Sequence, residues 1–258
     1  MSMRMVRGIA CQVVGDGPPV LFITGLGGRA DYWRQQVSAL EPRFTCVTYD
    51  HAGIGASERC DPPFSVSSWA DEALELIDEL GFERIAVVGH STGGAIAQWL
   101  AAHRPERVRV LCLSGTWAAA DARFRAIFTL RRRILADFDG QAYAELGAIL
   151  TMPLVWDEEA AISAKPPADP EVVLARIDAL LAHDSTSWLD RIDAPTLVCG
   201  ATDDLLVPPN HSRQLARLIP DARLAWFERG GHHFPQTRAD AFNAQLVGFL
   251  TQEIGDRG

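Results

Sequence analysis

Short runs rich in β-branched and aromatic residues, at 20–23, 44–49, 85–88, 108–113, 196–199 and 224–227, alternate along this chain with stretches of helical apolar spacing. A short run that is apolar on both of its faces reads as a strand buried on both sides. Helices between such strands provide both the cover and the crossovers that parallel pairing requires. The chain is therefore expected to form an α/β fold with a mostly parallel central sheet flanked by helices. Residues 65–80 illustrate the helical period: Trp69, Ala73, Leu76, Ile77 and Leu80 fall on one stripe, and Gly81 follows as a stop. Residues 240–250 form a second such stretch. Residues 8–14, ahead of the turn Gly15-Asp16-Gly17-Pro18, read as an antiparallel edge strand.

The alternation breaks once. Residues 115–194 contain helix-like patterns and no clear strand, which is too long for a plain crossover. Because strand pattern resumes at Pro195, the segment reads as a helical lid inserted into one core made of residues 1–114 and 195–258, rather than as a separate helical domain.

The most informative stretch is Ile85-Ala86-Val87-Val88-Gly89-His90-Ser91-Thr92-Gly93-Gly94. A buried strand runs into G-x-S-x-G and then into a helix whose first turns carry the small residues Ala95 and Ala97. A serine at a sharp strand-to-helix turn has strained backbone angles, so residues two positions away must lack clashing side chains. The hydroxyl then projects above the carboxyl end of the sheet. The Thr92 N–H and the helix N-terminus below can hold a developing oxyanion.

On these residues the chain resembles the α/β-hydrolase superfamily over essentially its full length. Ile23-Thr24-Gly25-Leu26-Gly27-Gly28, ahead of Tyr32-Trp33, is similar to the oxyanion loop of that family, which implies Leu26 N–H as the second oxyanion donor. Thr24 stands where histidine is usual. Asp50-His51-Ala52-Gly53-Ile54-Gly55-Ala56-Ser57 resembles a turn that usually carries arginine where Ala52 stands. The family order of nucleophile, acid and histidine leads to Thr202-Asp203-Asp204-Leu205-Leu206-Val207-Pro208 and to Gly230-Gly231-His232-His233. The carboxylate four residues before the proline is Asp204, with Asp203 as the alternative or as a helix cap. The histidine after the glycine pair is His232, with His233 in reserve. The resemblance thus implies Ser91, Asp204 and His232 as a catalytic triad, because a serine hydroxyl needs a base and the base needs a carboxylate to hold its tautomer.

Serine rather than aspartate at position 91 argues against dehalogenase and epoxide-hydrolase chemistry. The acid loop is similar to that of the aminoacrylate or carbamate hydrolases of pyrimidine utilisation. Lid length and general plan are similar to those of the 3-oxoadipate enol-lactonases. The resulting expectation is hydrolysis of a small carboxylic ester or lactone through an acyl-enzyme, with amide or carbamate hydrolysis next, C–C bond hydrolysis as a further alternative, and a non-catalytic binding protein of the same fold last.

Candidate substrate contacts are Gly25 and His51 near the sheet edge and Trp117, Phe124, Phe128, Arg131 and Trp156 in the lid. In the stretch 124–138 the apolar positions are 124, 127, 128, 134, 135 and 138, and Arg131 falls on their stripe, whereas Arg125 and Arg132 fall opposite. An inward arginine requires a partner, which a substrate carboxylate, water at the rim, Asp137 or Asp139 could each supply.

A formal net charge of −9 argues against nucleic acid as a partner. No apolar run reaches the 18 residues a membrane span needs. The opening residues lack the apolar core of a secretory signal. Four of the five cysteines sit in strand-like runs without metal-site spacing, which suits reduced thiols in the cytoplasm. The expected partner is a small-molecule substrate, with no membrane, no cofactor and no metal, and with a homodimer left open.

Overall fold

The computed structural model describes residues 3–137, 140–153 and 165–255. Eight strands form one sheet: β1 (Arg4–Val6), β2 (Ile9–Val14), β3 (Pro19–Ile23), β4 (Thr45–Tyr49), β5 (Ile85–His90), β6 (Val108–Ser114), β7 (Thr196–Ala201) and β8 (Arg223–Phe227). Their spatial order is β1-β2-β4-β3-β5-β6-β7-β8. The β1–β2 and β2–β4 pairs are antiparallel and the other five are parallel.

Alternation along the strands divides the core in two. Leu21, Ile23, Ile85, Val87, Leu111, Leu113 and Val198 point to one face. Their neighbours Val20, Phe22, Ala86, Val88, Val110, Cys112, Leu197 and Cys199 point to the other. The first face is covered by helices α2 (Val66–Glu79) and α3 (Thr92–His103), which bring Trp69, Leu76, Ile77, Ala97 and Leu100. The second is covered by α1 (Arg34–Leu40) and, at the end of the chain, by α9 (Ala239–Gly255), with Val37, Leu40, Phe242 and Leu246. All six residues of β5 are buried, as a central parallel strand requires. Helix α2 begins where the sequence marks it: Ser65 accepts from Ser68 N–H and Ser68 answers to the Ser65 N–H, a serine version of the capping box.

One strand has no counterpart in the sequence reading. β1 is largely exposed, so it carries no apolar alternation. It pairs with β2 through Arg7 and Gly8, both at positive φ, which fits a two-residue mirror-image hairpin turn.

Between β6 and β7 lie α4 (Ala122–Asp137), α5 (Gly140–Thr151) and α6 (Pro170–Ala182). Among the described residues, this insertion adds no strand to the sheet, only a single bridge between Ala119 and Asp184. Trp156 and Phe138 of the sequence reading lie outside the described residues. Downstream come α7 (Pro209–Leu218) and the short α8 (Phe234–Thr237). No helix among the described residues is long and apolar enough to cross a membrane.

The parallel direction of β3, β5, β7 and β8 has one functional consequence. The loops after all four leave from the same sheet edge, so residues near 25, 91, 204 and 232 converge although they are far apart in the chain.

Candidate active site

Ser91 sits between β5 and α3 with φ 55° and ψ −120°, a conformation that L-residues rarely adopt. The turn closes only because its neighbours are small. A Cβ on Gly89 would collide with the Gly93 carbonyl, and one on Gly93 with the Ile23 carbonyl of the adjacent strand. Ser91 N–H donates to Ser114 O at 2.9 Å, and Gly94 N–H to Ser91 O at 2.9 Å, which locks the turn against β6 and starts the helix. Thr92 opens α3, so its N–H has no acceptor within the helix.

Asp204 follows β7 and is buried. Its Oδ1 accepts the backbone N–H groups of Leu206 at 2.9 Å and Val207 at 2.8 Å, and its Oδ2 lies 2.8 Å from His232 Nδ1. Hydrogen bonds from three groups offset the cost of taking the carboxylate out of water. With Nδ1 engaged, the ring's Nε2 is the nitrogen left for chemistry, on a side chain that lines the same cavity as Ser91.

Asp203 does not cap a helix, as one sequence alternative had it. Pro208 occupies the cap of α7, and the Asp203 carboxylate instead accepts from Gly231 N–H at 2.9 Å and Gly230 N–H at 3.2 Å. Two adjacent carboxylates thus divide the work: one meets the His232 ring and the other holds the loop that carries it.

The loop after β3 is braced from several sides. Thr24 Oγ1 donates to Arg29 O at 3.0 Å, so a threonine ties down the loop where the resembled family usually has histidine. Gly28 N–H donates to Gly25 O at 2.9 Å, His51 N–H to Gly28 O at 2.9 Å, and Ala30 N–H to Asp50 Oδ1 at 2.7 Å. Arg176 Nε on α6 donates to Leu26 O at 3.2 Å. Among the described residues, the N–H groups of Leu26 and Thr92 donate to no other protein group. Gly25 lies against Ser91, since a Cβ there would approach Ser91 Cβ to 3.0 Å.

These groups face a cavity of about 830 Å³ between the sheet edge and the inserted helices. Of the sequence-derived candidates, Gly25, Leu26, Ser91, Phe128, Arg131 and His232 line it. His51, Trp117 and Phe124, also expected as contacts, are not among its lining residues. All three are fully buried: His51 stacks on Tyr49 at 5.1 Å, and Trp117 packs on Phe124 at 4.5 Å. An apolar stripe reports that a side chain is covered, and here the cover is the core.

Tyr32, His90, Thr151 and Leu206, which the sequence did not single out as contacts, also line the cavity, as does His233, held in reserve as the base. Tyr32 stacks on His90 at 5.0 Å, and His90 lies 4.7 Å from the His232 ring. Burial, reinforced by neighbouring His232, pushes the His233 imidazole down to about 3, and the same causes, with His233 added, push His90 well below the usual histidine range. Both rings are therefore neutral beside His232.

Arg131 is the inward-facing residue of α4 that the stripe indicates. It is 7% exposed, its guanidinium lies 4.6 Å from the Tyr143 ring centroid and 5.3 Å from that of Phe128, and among the described residues its Nε has no hydrogen-bond partner. It forms no ion pair among the described residues. Desolvation lowers its pKa, which Tyr143 partly offsets. Arg132, on the opposite side, pairs with Asp178 at 2.7 Å. Among the described residues, the cavity is lined by four cations, Arg29, Arg34, Arg131 and Lys165, and by one carboxylate, Asp31, which pairs with Arg29 at 3.2 Å. On a chain of net charge −9 that is a local reversal of sign.

Comparison with known proteins places the fold in a family. The model of the α/β-hydrolase fold family matches residues 18–152. A protein of Azorhizobium caulinodans named "Putative carbamate hydrolase RutD" is 39% identical over 247 residues, covering 92% of this chain and 93% of that protein. Among solved structures, the enol-lactonase of Burkholderia xenovorans superposes with a TM-score of 0.88 at 26% identity, over 97% of this chain and 100% of that one. A meta-cleavage product hydrolase of Pseudomonas fluorescens gives 0.79 at 26% identity, over 95% and 94%. A family match over more than half of the chain, and a relative of this identity along nearly all of it, establish that the chain belongs to the α/β-hydrolase fold family.

Proposed function

We propose that this hydrolase cleaves a small anionic acyl substrate through an acyl-enzyme on Ser91, with His232 as general base and Asp204 as its orienting carboxylate. The observation that carries the reading is the 2.8 Å bond from His232 Nδ1 to a buried Asp204, in the cavity that the strained Ser91 also lines. Ser91 Oγ attacks the acyl carbon as its proton passes to His232 Nε2. The carbonyl oxygen takes the displaced electron pair and is held by the N–H groups of Leu26 and Thr92. Collapse breaks the bond to the leaving oxygen or nitrogen, which takes the proton from His232. A water molecule then gives His232 a proton as it attacks the acyl-enzyme, and Ser91 regains that proton as the acid departs.

The substrate's charge follows from Arg131. A buried cation without an anionic partner is strongly unfavourable, and a carboxylate entering the cavity supplies that partner in bidentate geometry. Arg34 and Lys165 add a field of the same sign along the lining, while Arg29 is paired with Asp31. Two bond types each have a finding in their favour. The 39% identity with a protein named for carbamate hydrolysis favours a carbamate or related amide. The TM-score of 0.88 to an enol-lactonase favours a lactone or ester. Side-by-side assay of carboxylate-bearing carbamates, lactones and esters decides between them. A cytoplasmic setting belongs to the same reading, supported by cysteines that are all free thiols, four of them buried.

Arg131→Leu tests the anionic requirement. On an ester bearing a carboxylate, kcat/KM is expected to fall about 10-fold or more, and on a neutral ester of equal size to stay within about 3-fold. Equal losses on both would reduce Arg131 to a packing residue.

A further inference from the structure

A fully buried arginine ordinarily meets a carboxylate, because unpaired charge in the interior is costly. Arg176, in the middle of α6, is 0% exposed and forms no ion pair among the described residues. Its Nε–H goes instead to the carbonyl of Leu26 at 3.2 Å, and its Nη2 to His51 Nδ1 at 2.8 Å, while its guanidinium lies 4.6 Å over the Trp69 ring. The two hydrogen bonds serve one loop. Leu26 belongs to it, and His51 holds its far end by donating a backbone N–H to Gly28 O at 2.9 Å. Glu72, the acid that acts most on Arg176, faces the Ala52 N–H at 3.3 Å rather than the guanidinium, and burial lifts it to about 7.

We propose that Arg176 is a positioning residue that reaches from the inserted helix α6 to the carbonyl of Leu26 and so aims the Leu26 N–H at the oxyanion. The inference rests on the reading of Ser91 as nucleophile and of Leu26 as oxyanion donor. Its physical basis is that, among the described residues, the Leu26 N–H has no partner of its own, so its direction is set by what grips its own peptide group and the next one. Gly28 N–H grips Gly25 O, the carbonyl of that same peptide group, and Arg176 grips Leu26 O, the carbonyl of the next. Preorganisation of that kind matters where charge develops, since a donor already aimed at the oxyanion needs no reorganisation at the moment of reaction. The fixed positive charge behind the loop acts in the same direction. One consequence is a link between insertion and chemistry: the oxyanion loop has its working geometry only while α6 is docked.

The experiment uses the full chain with Arg176→Met, Arg176→Lys, the double variant Arg176→Met/Glu72→Gln, and Val173→Ala as a control for lost packing on the same helix. Each is assayed on p-nitrophenyl acetate and titrated with phenylboronic acid, which becomes a tetrahedral anion on an active-site serine. For the Arg176→Met variants, kcat is expected to fall about 10- to 100-fold with KM within about 3-fold, and boronate affinity to weaken by the same factor as kcat. Arg176→Lys recovers part of both, and Val173→Ala keeps both near wild type. Retention of kcat and boronate affinity within about 3-fold, an equal loss in the control, or failure of every Arg176 variant to fold would overturn the proposal. Ser91→Ala, measured in parallel, separates the two readings. If Ser91→Ala is inactive while the Arg176 variants are normal, only the positioning role fails. If Ser91→Ala is active, the serine-hydrolase reading fails with it.

Discussion

Ser91→Ala is expected to lower kcat by roughly four to six orders of magnitude and to leave the fold intact. The size of the loss follows from removing the atom that forms the covalent bond, after which water must attack directly with help only from binding and the oxyanion donors. The preserved fold follows from the local structure. Ser91 makes no side-chain hydrogen bond as the cap of α3, and the turn is closed by backbone bonds to Ser114 O and from Gly94 N–H, which alanine keeps. Alanine also meets the same positive-φ strain as serine. Steady-state kinetics on a carboxylate-bearing ester or carbamate, with a thermal melt beside it, checks both halves. Near-normal turnover by a folded variant is incompatible with Ser91 as nucleophile.

The second large effect separates two neighbours. Asp204→Asn is expected to reduce kcat by about four orders of magnitude, because an amide in place of the carboxylate presents the wrong partner to His232 Nδ1 and favours the wrong ring tautomer. Asp203→Asn is expected to cost about 10-fold or less, because the amide oxygen still accepts one of the two N–H groups of Gly230 and Gly231. The two residues are adjacent, so the comparison isolates geometry from general damage to the loop. The reverse ranking would transfer the orienting role to Asp203.

How much of this was legible in the sequence depends on the range of the interactions. Strands β3 to β7 announce themselves by apolar runs, since burial on both faces leaves no alternative composition, and the edge strand β8 still shows an apolar run although Arg223 and Leu224 are exposed. β1 does not, because an exposed three-residue edge strand imposes no pattern. Ser91 was legible because its constraint is local: Gly89 and Gly93 are needed within two residues of it. The distinction between Asp203 and Asp204 was only half legible. Spacing to Pro208 selected the residue that meets His232, but nothing in the sequence revealed that its neighbour grips the histidine loop. Phe124 shows the limit of an apolar stripe, which indicates burial without saying what provides the cover. Arg176 could not be singled out from sequence, because its partner Leu26 lies 150 positions away. Arg131 was readable as inward-facing from its place on the α4 stripe. Its lack of a carboxylate partner among the described residues became visible only with α5 and Tyr143 packed against it.

The most direct test of the central claim is covalent labelling with a sulfonyl fluoride, followed by peptide mass spectrometry. One adduct per chain is expected, on Ser91, with loss of activity in proportion to labelling, because an activated serine beside a base reacts where an ordinary hydroxyl does not. A folded, active protein in which Ser91 stays unlabelled while hydrolysis continues or another residue carries the adduct would contradict it.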